Sequence, residues 1–499
     1  MGHSLQTRLA CIFVIALGPT PGHAETLADA LEAAYAGNPQ LQGNRDLTAA
    51  ADELVVQAKA AYGPNLSLGV SHQFTAARIR GTVLPSHDNG FASTVELSLS
   101  QPLFTSGRLS AGIDAAEATS LATRESLRAL SQQLLTDVVT AYIALRRDTA
   151  LYAIAVENYN ILLQQNEVIA ARFRLRDATE PDMEQTTNRL ELAAGRVIEA
   201  RSTVEVSAAK YRHIVGHYPD RLEPPPSLPA LSTLETLYVD AERYNPSLAS
   251  AQFVEQASRA RVRAAKAQTG PQVSAFSSLA RSPISEFENT YRQESVAVGI
   301  SLSMQLYSGG AQTSAVREAI ARNLADQQFV EEARRTMRES LAANWSLLRS
   351  ADTALPRYAA AVDAAEKAVE GVKRQETAGI RTLRDVLDVT NDLLNARIAA
   401  AQAEAEIYLR HMALLRDAGL LSADMMTGLP DYDPDSRKAG ISRYAGLPLR
   451  WVFEPVDRTF QFPANQHADI QVENSPQFPW GDNQTDPLQP IAKGDPGTP

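Results

Sequence analysis

The chain states almost the same pattern twice. Asn38-Pro39 opens a segment that runs through Ala58-Lys59-Ala60 to Gly63-Pro64, and 207 residues later Asn245-Pro246 opens one that runs through Ala265-Lys266-Ala267 to Gly270-Pro271. Further along, the offset settles at 203: Leu103-Phe104 is answered by Leu306-Tyr307, Gly107 by Gly310, Thr179 with Asp182 by Thr382 with Asp385, Asn188 by Asn391, and Gly216 by Gly419. Solenoid repeats run ~20–50 residues, so a period this long is an internal duplication instead. Each half reads as helix, two strands, very long helix, turn, long helix.

The helices follow from composition and punctuation. Only 6% of the 499 residues are aromatic, and Ala, Leu, Gln, Arg and Glu dominate, which favours long helices over a globular core. From Ser106-Gly107 to about Arg174 there is no proline, and little glycine after Gly112; that predicts one helix of ~100 Å at 1.5 Å per residue. Thr179 is placed to cap a following helix over 180–215, with Pro181 in its first turn and Gly216 ending it. The second half predicts the same over 311–377 and 381–418, with Pro356 as a kink point because a mid-helix proline removes a hydrogen bond. Shorter helices are expected over 26–37, 39–62 and 246–269.

Between the short and the very long helices the period changes from 3.6 to 2. Leu66, Leu68, Val70 and Phe74 alternate with Ser67, Gly69, Ser71, Gln73 and Thr75. Phe91, Val95, Leu97 and Leu99 alternate with Thr94, Glu96, Ser98 and Ser100, after a turn-rich loop over 81–90. Two further strands are expected near 272–282 and 292–307, the last with Val296, Val298, Ile300, Leu302, Met304 and Leu306 in strict alternation. The remaining divisions are a signal peptide over 1–24, first repeat 25–221, a Pro-rich linker 222–232, second repeat 233–427, and a Pro/Gly/Asp-rich tail 428–499 read as irregular and disordered. The single cysteine, Cys11, falls inside the signal segment, so neither a disulfide nor a lipid anchor is expected in the mature chain. A net charge of −11 gives no basic field for nucleic acid.

These pieces constrain one another. Apolar residues alternating with Ser, Thr, Gly and Glu suit a sheet with lipid on one side and water on the other. Four strands cannot close a membrane barrel, and an open edge in lipid leaves backbone groups unsatisfied. Several chains must therefore contribute strands. A short helix and the helix after the turn, placed end to end, nearly match the ~100 Å helix, so each half can form two antiparallel columns. The fold expected is mostly α with a transmembrane β part. A soluble periplasmic coiled-coil scaffold is the alternative, and it leaves the strands unexplained. No P-loop or GxSxG is present, and His213 with His217 is the one histidine pair at helical spacing, so no enzyme or cofactor is expected.

The residues also carry a resemblance, over about 25–425, to the TolC-like outer-membrane factors of efflux and type I secretion. Asn38-Pro39, Gly63-Pro64, Gln101-Pro102-Leu103-Phe104 and Ser308-Gly309-Gly310 resemble the family's strand–helix junctions. Most specific is Gly379-Ile380-Arg381-Thr382-Leu383-Arg384-Asp385-Val386-Leu387-Asp388, followed by Asn391, Leu394, Asn395, Ala396 and Arg397, which is similar to the turn and helix at the family's periplasmic tip. The resemblance implies a homotrimer, built from the duplication, with a twelve-stranded β-barrel in outer-membrane lipid, four strands per chain, continued by a long α-helical barrel in the periplasm. It implies a passive conduit that works with a membrane-fusion adaptor and an inner-membrane ABC or proton-driven transporter.

By residue, it implies that Asp385 and Asp388 form acidic rings at a channel constriction. Arg381 and Asp182 match closure partners at the tip. Glu376 stands where the family has a tyrosine in another closure link, Pro181 replaces a threonine, and Arg176-Asp177 replaces a common Gly-Leu. The turns at Arg176-Asp177 and Ala378-Gly379-Ile380 match the adaptor-contact turns. The residues alone offer a plainer role for Asp385 and Asp388: carboxylates near a helix N-terminus are favoured by ~0.3–1 kcal/mol whatever they line.

Overall fold

The structure is a computed structural model that describes residues 25–79, 86–219, 221–428, 430, 432–433 and 449–463. The signal segment, the first part of the loop expected at 81–90 and much of the tail lie outside the described residues. Every element below belongs to the unit that ends at Phe462. In chain order these are α1 (Leu27–Gly37), α2 (Pro39–Ala60), β1 (Asn65–Ile79), β2 (Ser86–Phe104), α3 (Arg108–Arg174), α4 (Glu180–Val215), α5 (Leu234–Tyr244), α6 (Pro246–Ala267), β3 (Gln272–Pro283), β4 (Arg292–Ser303), α7 (Ala311–Thr377), α8 (Leu383–Asp417), α9 (Ala423–Thr427) and α10 (Arg450–Thr459).

The duplication survives in three dimensions almost residue for residue. α3 and α7 are each 67 residues long, and α2 and α6 are each 22. Asn38 and Asn245 cap α2 and α6 through their side-chain oxygens, with proline at the first helical position, where its missing N–H costs nothing. Thr179 with Asp182 and Thr382 with Asp385 form equivalent capping boxes at the starts of α4 and α8. α7 runs unbroken through Pro356.

The helices pack through three separate apolar clusters. The largest apolar cluster sits at mid-length of α3, where Leu135, Val138, Val139 and Tyr142 meet Leu31 of α1, Tyr211 of α4 and Met412 of α8. A second joins Leu237, Leu248, Leu341 and Leu414 across α5 to α8. A third lies near the ends of the long helices, with Leu162, Ile169, Leu190, Leu383 and Leu387. Tyr142 and Tyr211 are fully buried but not orphaned. Tyr142 donates to the carbonyls of Glu25 or Glu223 (2.9 and 2.8 Å), and Tyr211 donates to the Glu25 carboxylate (2.6 Å). Burial pushes the Tyr142 phenol up to about 12.

The four strands form one antiparallel sheet in the order β1-β2-β3-β4. Its register puts Leu66, Leu68 and Val70 opposite Leu99, Leu97 and Val95, and Leu279 and Ala275 opposite Val296 and Ile300. That face carries most of the large apolar side chains of the strands, and they are exposed: Val70 is 71% exposed and Val298 78%. The other face carries Ser67 bonded to Ser98 and Ser274 bonded to Ser301, with Phe276 seated over Gly299.

Three expectations need correction. β2 begins at Ser86, so Asp88, Asn89 and Gly90 belong to a strand and not to a loop; the two strands simply run further out than their apolar alternation. β4 ends at Ser303, so Met304 and Leu306 lie beyond it. The tail is not wholly irregular: α10 forms over 450–459 and returns to the β2–α3 junction, where Asp457 is completely buried.

Candidate functional site

Two regions distinguish this fold from a plain helical bundle: the sheet and the far tip, where α3 turns into α4 and α7 into α8. Both tip turns have the same backbone. Arg176 and Gly379, 203 residues apart, take positive φ of 60° and 77°. The N–H of Asp177 donates to the Arg172 carbonyl (2.8 Å) and that of Ile380 to the Gln375 carbonyl (2.9 Å), closing each helix with a six-residue Schellman turn. Glycine takes this conformation freely, whereas a side chain there costs ~1–2 kcal/mol; Arg176 therefore holds a strained position that Gly379 does not. Leu175 and Ile380 project at these turns, 80% and 73% exposed. Sequence reading singled out Ile380 but missed Leu175, because one leucine at a helix end carries no periodic signal.

The acidic residues at the tip are engaged locally. The Asp385 carboxylate accepts from the Thr382 backbone N–H (3.0 Å) and hydroxyl (3.0 Å). Those bonds, with smaller help from the Arg381 and Arg384 charges, hold its carboxyl below the usual carboxylate range. Asp182 makes the same box with Thr179. Asp388 lies one turn on from Asp385. It pairs with Arg189 of α4 (3.2 Å) and, more loosely, with Arg384 (3.8 Å), and stays half-exposed.

The residues singled out from the sequence thus lie at one end of the unit. Within one chain Arg381 and Asp182 form no ion pair; Asp182 is turned into its own helix cap. Glu376 pairs within the chain with a residue the sequence did not indicate. It accepts from Arg172 of α3 at 2.6 Å, and its side chain is only 13% exposed. Farther from the tip, Arg397 of α8 reaches Glu157 of α3 (2.9 Å) and Glu366 of α7 (2.8 Å) at once, and these carboxylates raise its already high pKa. The chemistry available is that of fixed charge and apolar contact. Among the described residues no group of three or more His, Cys, Asp or Glu could hold a metal ion. His217 follows Gly216, outside α4, so it does not share a helical face with His213; it bonds to the Glu25 carboxylate instead (3.0 Å).

No helix among the described residues is long and apolar enough to cross a membrane, which leaves the exposed apolar face of the sheet as the surface to be explained. Comparison with known proteins accounts for it. The model of the family described as "Outer membrane efflux protein" matches residues 30–217 and 237–419. The chain is 26% identical over 428 residues to the outer membrane efflux protein BepC of Brucella suis, covering 85% of this chain and 92% of that protein. It is 26% identical over 431 residues to the alkaline protease secretion protein AprF of Pseudomonas aeruginosa, covering 81% and 88%. In structure it resembles the outer-membrane channel OprN, with a TM-score of 0.69 and 23% identity over 79% of this chain and 89% of that one. The soluble-scaffold alternative falls, and the resemblance to TolC-like factors holds: the chain belongs to the outer membrane efflux protein family and is an outer-membrane exit duct of efflux or type I secretion.

Proposed function

We propose that three copies of the chain assemble into one conduit, a twelve-stranded barrel in the outer membrane continued by a helical tunnel in the periplasm. The observation that carries this is the sheet. It has four strands, β1 and β4 are its two edges, and its apolar face is exposed. In lipid an unpaired edge costs several kcal/mol for each unsatisfied backbone group. β4 of one copy paired to β1 of the next removes both edges, and three times four strands reaches the size range of membrane barrels, ~8 or more. The face carrying Ser67, Ser98, Ser274 and Ser301 then lines the lumen.

The tip is the constriction and docking end. Asp385 and Asp388 lie on the first turns of α8, so threefold repetition brings six carboxylates around the axis; like charges that converge favour bound cations. The role of Asp385 as a helix cap is compatible with this, since its second oxygen is left free. Leu175 and Ile380, exposed at the two turns, supply the apolar contact for a membrane-fusion adaptor. An inner-membrane ABC or proton-driven transporter supplies the energy, because nothing in this chain does. The name of AprF, a protease secretion protein, favours protein cargo; that of BepC favours efflux.

Planar-bilayer recording tests the reading. The wild-type pore should be cation-selective and blocked by divalent or trivalent cations from the tip side. Asp385→Ala with Asp388→Ala should relieve the block and reduce selectivity while the chain keeps its fold. Unchanged block in the double variant would place the ring elsewhere.

A further inference from the structure

α10 is built inside out. Asp457 and Arg458 are held by the protein. Asp457, with no exposed surface, accepts hydrogen bonds from the Tyr62 hydroxyl (2.9 Å), the Thr105 N–H (2.7 Å) and hydroxyl (2.9 Å), and the Gly107 N–H (3.0 Å). Arg458 bonds Asp114 of α3 at 3.1 Å. The apolar residues face away: Trp451, Val452, Val456 and Phe460 are 67%, 48%, 48% and 60% exposed. A helix on the surface of a soluble domain does the reverse, turning its apolar stripe to the core.

The position of this stripe shows what covers it. Phe460 meets Phe104 edge-on at 5.3 Å between ring centres. Phe104 pairs with Val273 and Val273 with Leu302, on the same side of the sheet as Val298 and Ile300. The apolar face of α10 therefore continues the outer apolar face of the sheet at the end where strands become helices. Short helices with a strongly apolar face and a tryptophan lie in the boundary between headgroups and acyl chains, ~5–10 Å deep.

We propose that α10 is an interfacial helix that seats its Trp451–Phe460 face in the periplasmic leaflet of the outer membrane, held to the barrel by Asp457. This rests on the barrel reading above. It adds a lipid contact made by the chain's C-terminal segment, which lies outside the family match.

The test uses the full-length protein reconstituted in phosphatidylcholine vesicles. Of the three tryptophans, Trp345 and Trp480 are replaced by phenylalanine, leaving Trp451. Lipid brominated high on the acyl chain should roughly halve Trp451 emission, as expected for a side chain at shallow depth, and aqueous acrylamide should quench it little. A companion protein carries its single tryptophan as Ile300→Trp on the sheet. If bromolipid quenches that residue but not Trp451, the helix proposal alone is overturned; if it quenches neither, the barrel reading has failed. Should the tryptophan replacements prevent folding, Val456→Cys labelled with an environment-sensitive dye replaces them, and lipid should shift its emission to the blue. A second copy covering this face would instead give efficient disulfide formation between Val456→Cys and Leu306→Cys of neighbouring chains with Trp451 unquenched, which overturns lipid as the occupant.

Discussion

The two strand–helix junctions began as copies and no longer match. At the first, Ser106 and Gly107 take positive φ of 57° and 85°; at the second, Gly309 and Gly310 take 62° and 88°. Both use a hydroxyl four residues before the helix backbone it serves: Thr105 accepts from the Leu109 N–H and Ser308 from the Gln312 N–H, each at 3.2 Å. There the likeness stops. Thr105, Ser106 and Gly107 are buried, and the strained Ser106 is tied by its hydroxyl to the Pro271 carbonyl (2.6 Å). Leu306 and Tyr307 at the second junction are 88% and 85% exposed. Asp457 makes the difference. Gly107 and Gly310 have no side chain to cap with; the Thr105 and Gly107 N–H groups ahead of α3 receive a carboxylate from some 350 residues away, and among the described residues the start of α7 has no counterpart to it. Duplication supplied two equivalent ends, and the tail sealed the one inside the protomer. The other, beside the β4 edge, is left for the neighbouring copy in the proposed trimer.

The comparison can be broken at several points. The largest effect is expected where the halves should agree. Val298→Arg on β4 and Leu68→Arg on β1 should each cost ~2–4 kcal/mol in the membrane and reduce detergent-extracted trimer on gels. Ser301→Arg, on the serine face, should assemble normally. A large effect in one hairpin and none in the other would show that only one faces lipid. Next, Asp457→Ala should cost ~1–3 kcal/mol, since the junction donors lose a buried acceptor, and should expose the chain near Ser106 to protease, leaving the Gly310 junction unchanged. If both junctions become sensitive together, they are one cooperative unit.

A finer comparison is glycine replacement. Gly310→Ala meets open space and should cost only the ~1–2 kcal/mol of left-handed backbone. Gly107→Ala adds a Cβ 2.9 Å from the Gln461 side chain and should lower the melting temperature further; equal shifts would mean that α10 yields freely. The smallest effect concerns pH. His411 of α8 is buried beside the linker, facing Asp352 and Arg349 of α7, Glu404 and Tyr408 of α8 and Arg146 of α3. Burial lowers its pKa below 6.5, against Asp352 and the Pro229 carbonyl, which raise it. The unfolded chain then binds the proton more readily, so stability is complete above about pH 6.5 and falls as pH drops below it. His411→Phe should flatten the acid side of a melting curve taken against pH. A slope that persists would assign the acid loss to other groups.

The long helices were legible from composition and punctuation, whereas α5 and α10 were not expected. α3, α4 and α7 begin and end where Gly107, Thr179, Gly216 and Gly310 said they should, because caps and breakers act within a few residues of where they stand. The strands were legible from period 2, but their ends were not, since Asp88, Asn89 and Gly90 are turn formers that here pair as ladder residues. At the tip the carboxylates were found and their partners were not. Arg172 meets Glu376 only because the folded unit brings the ends of α3 and α7 within reach of two long side chains, a fact of packing rather than of sequence neighbourhood. Asp457 was invisible for a like reason: one aspartate in a Pro-rich tail carries no period, and its partners Tyr62, Thr105 and Gly107 lie some 350 to 395 residues upstream.

The strand order also bears on how the sheet can be assembled. Each hairpin is local, but β2 meets β3 by bringing Phe104 to Val273 and Val95 to Arg281, and everything from α3 to α6 lies between. Pairings so distant along the chain form slowly unless the intervening segment has already shortened the path. Helix formation from α3 to α6 shortens that path, so the helices are expected to form ahead of the β2–β3 pairing, an order that pulse-labelling hydrogen exchange during refolding would check. The residue that seals the first junction emerges after every strand and every long helix. A chain stopped after α8 would hold every strand and every long helix and still lack the carboxylate that finishes the start of α3.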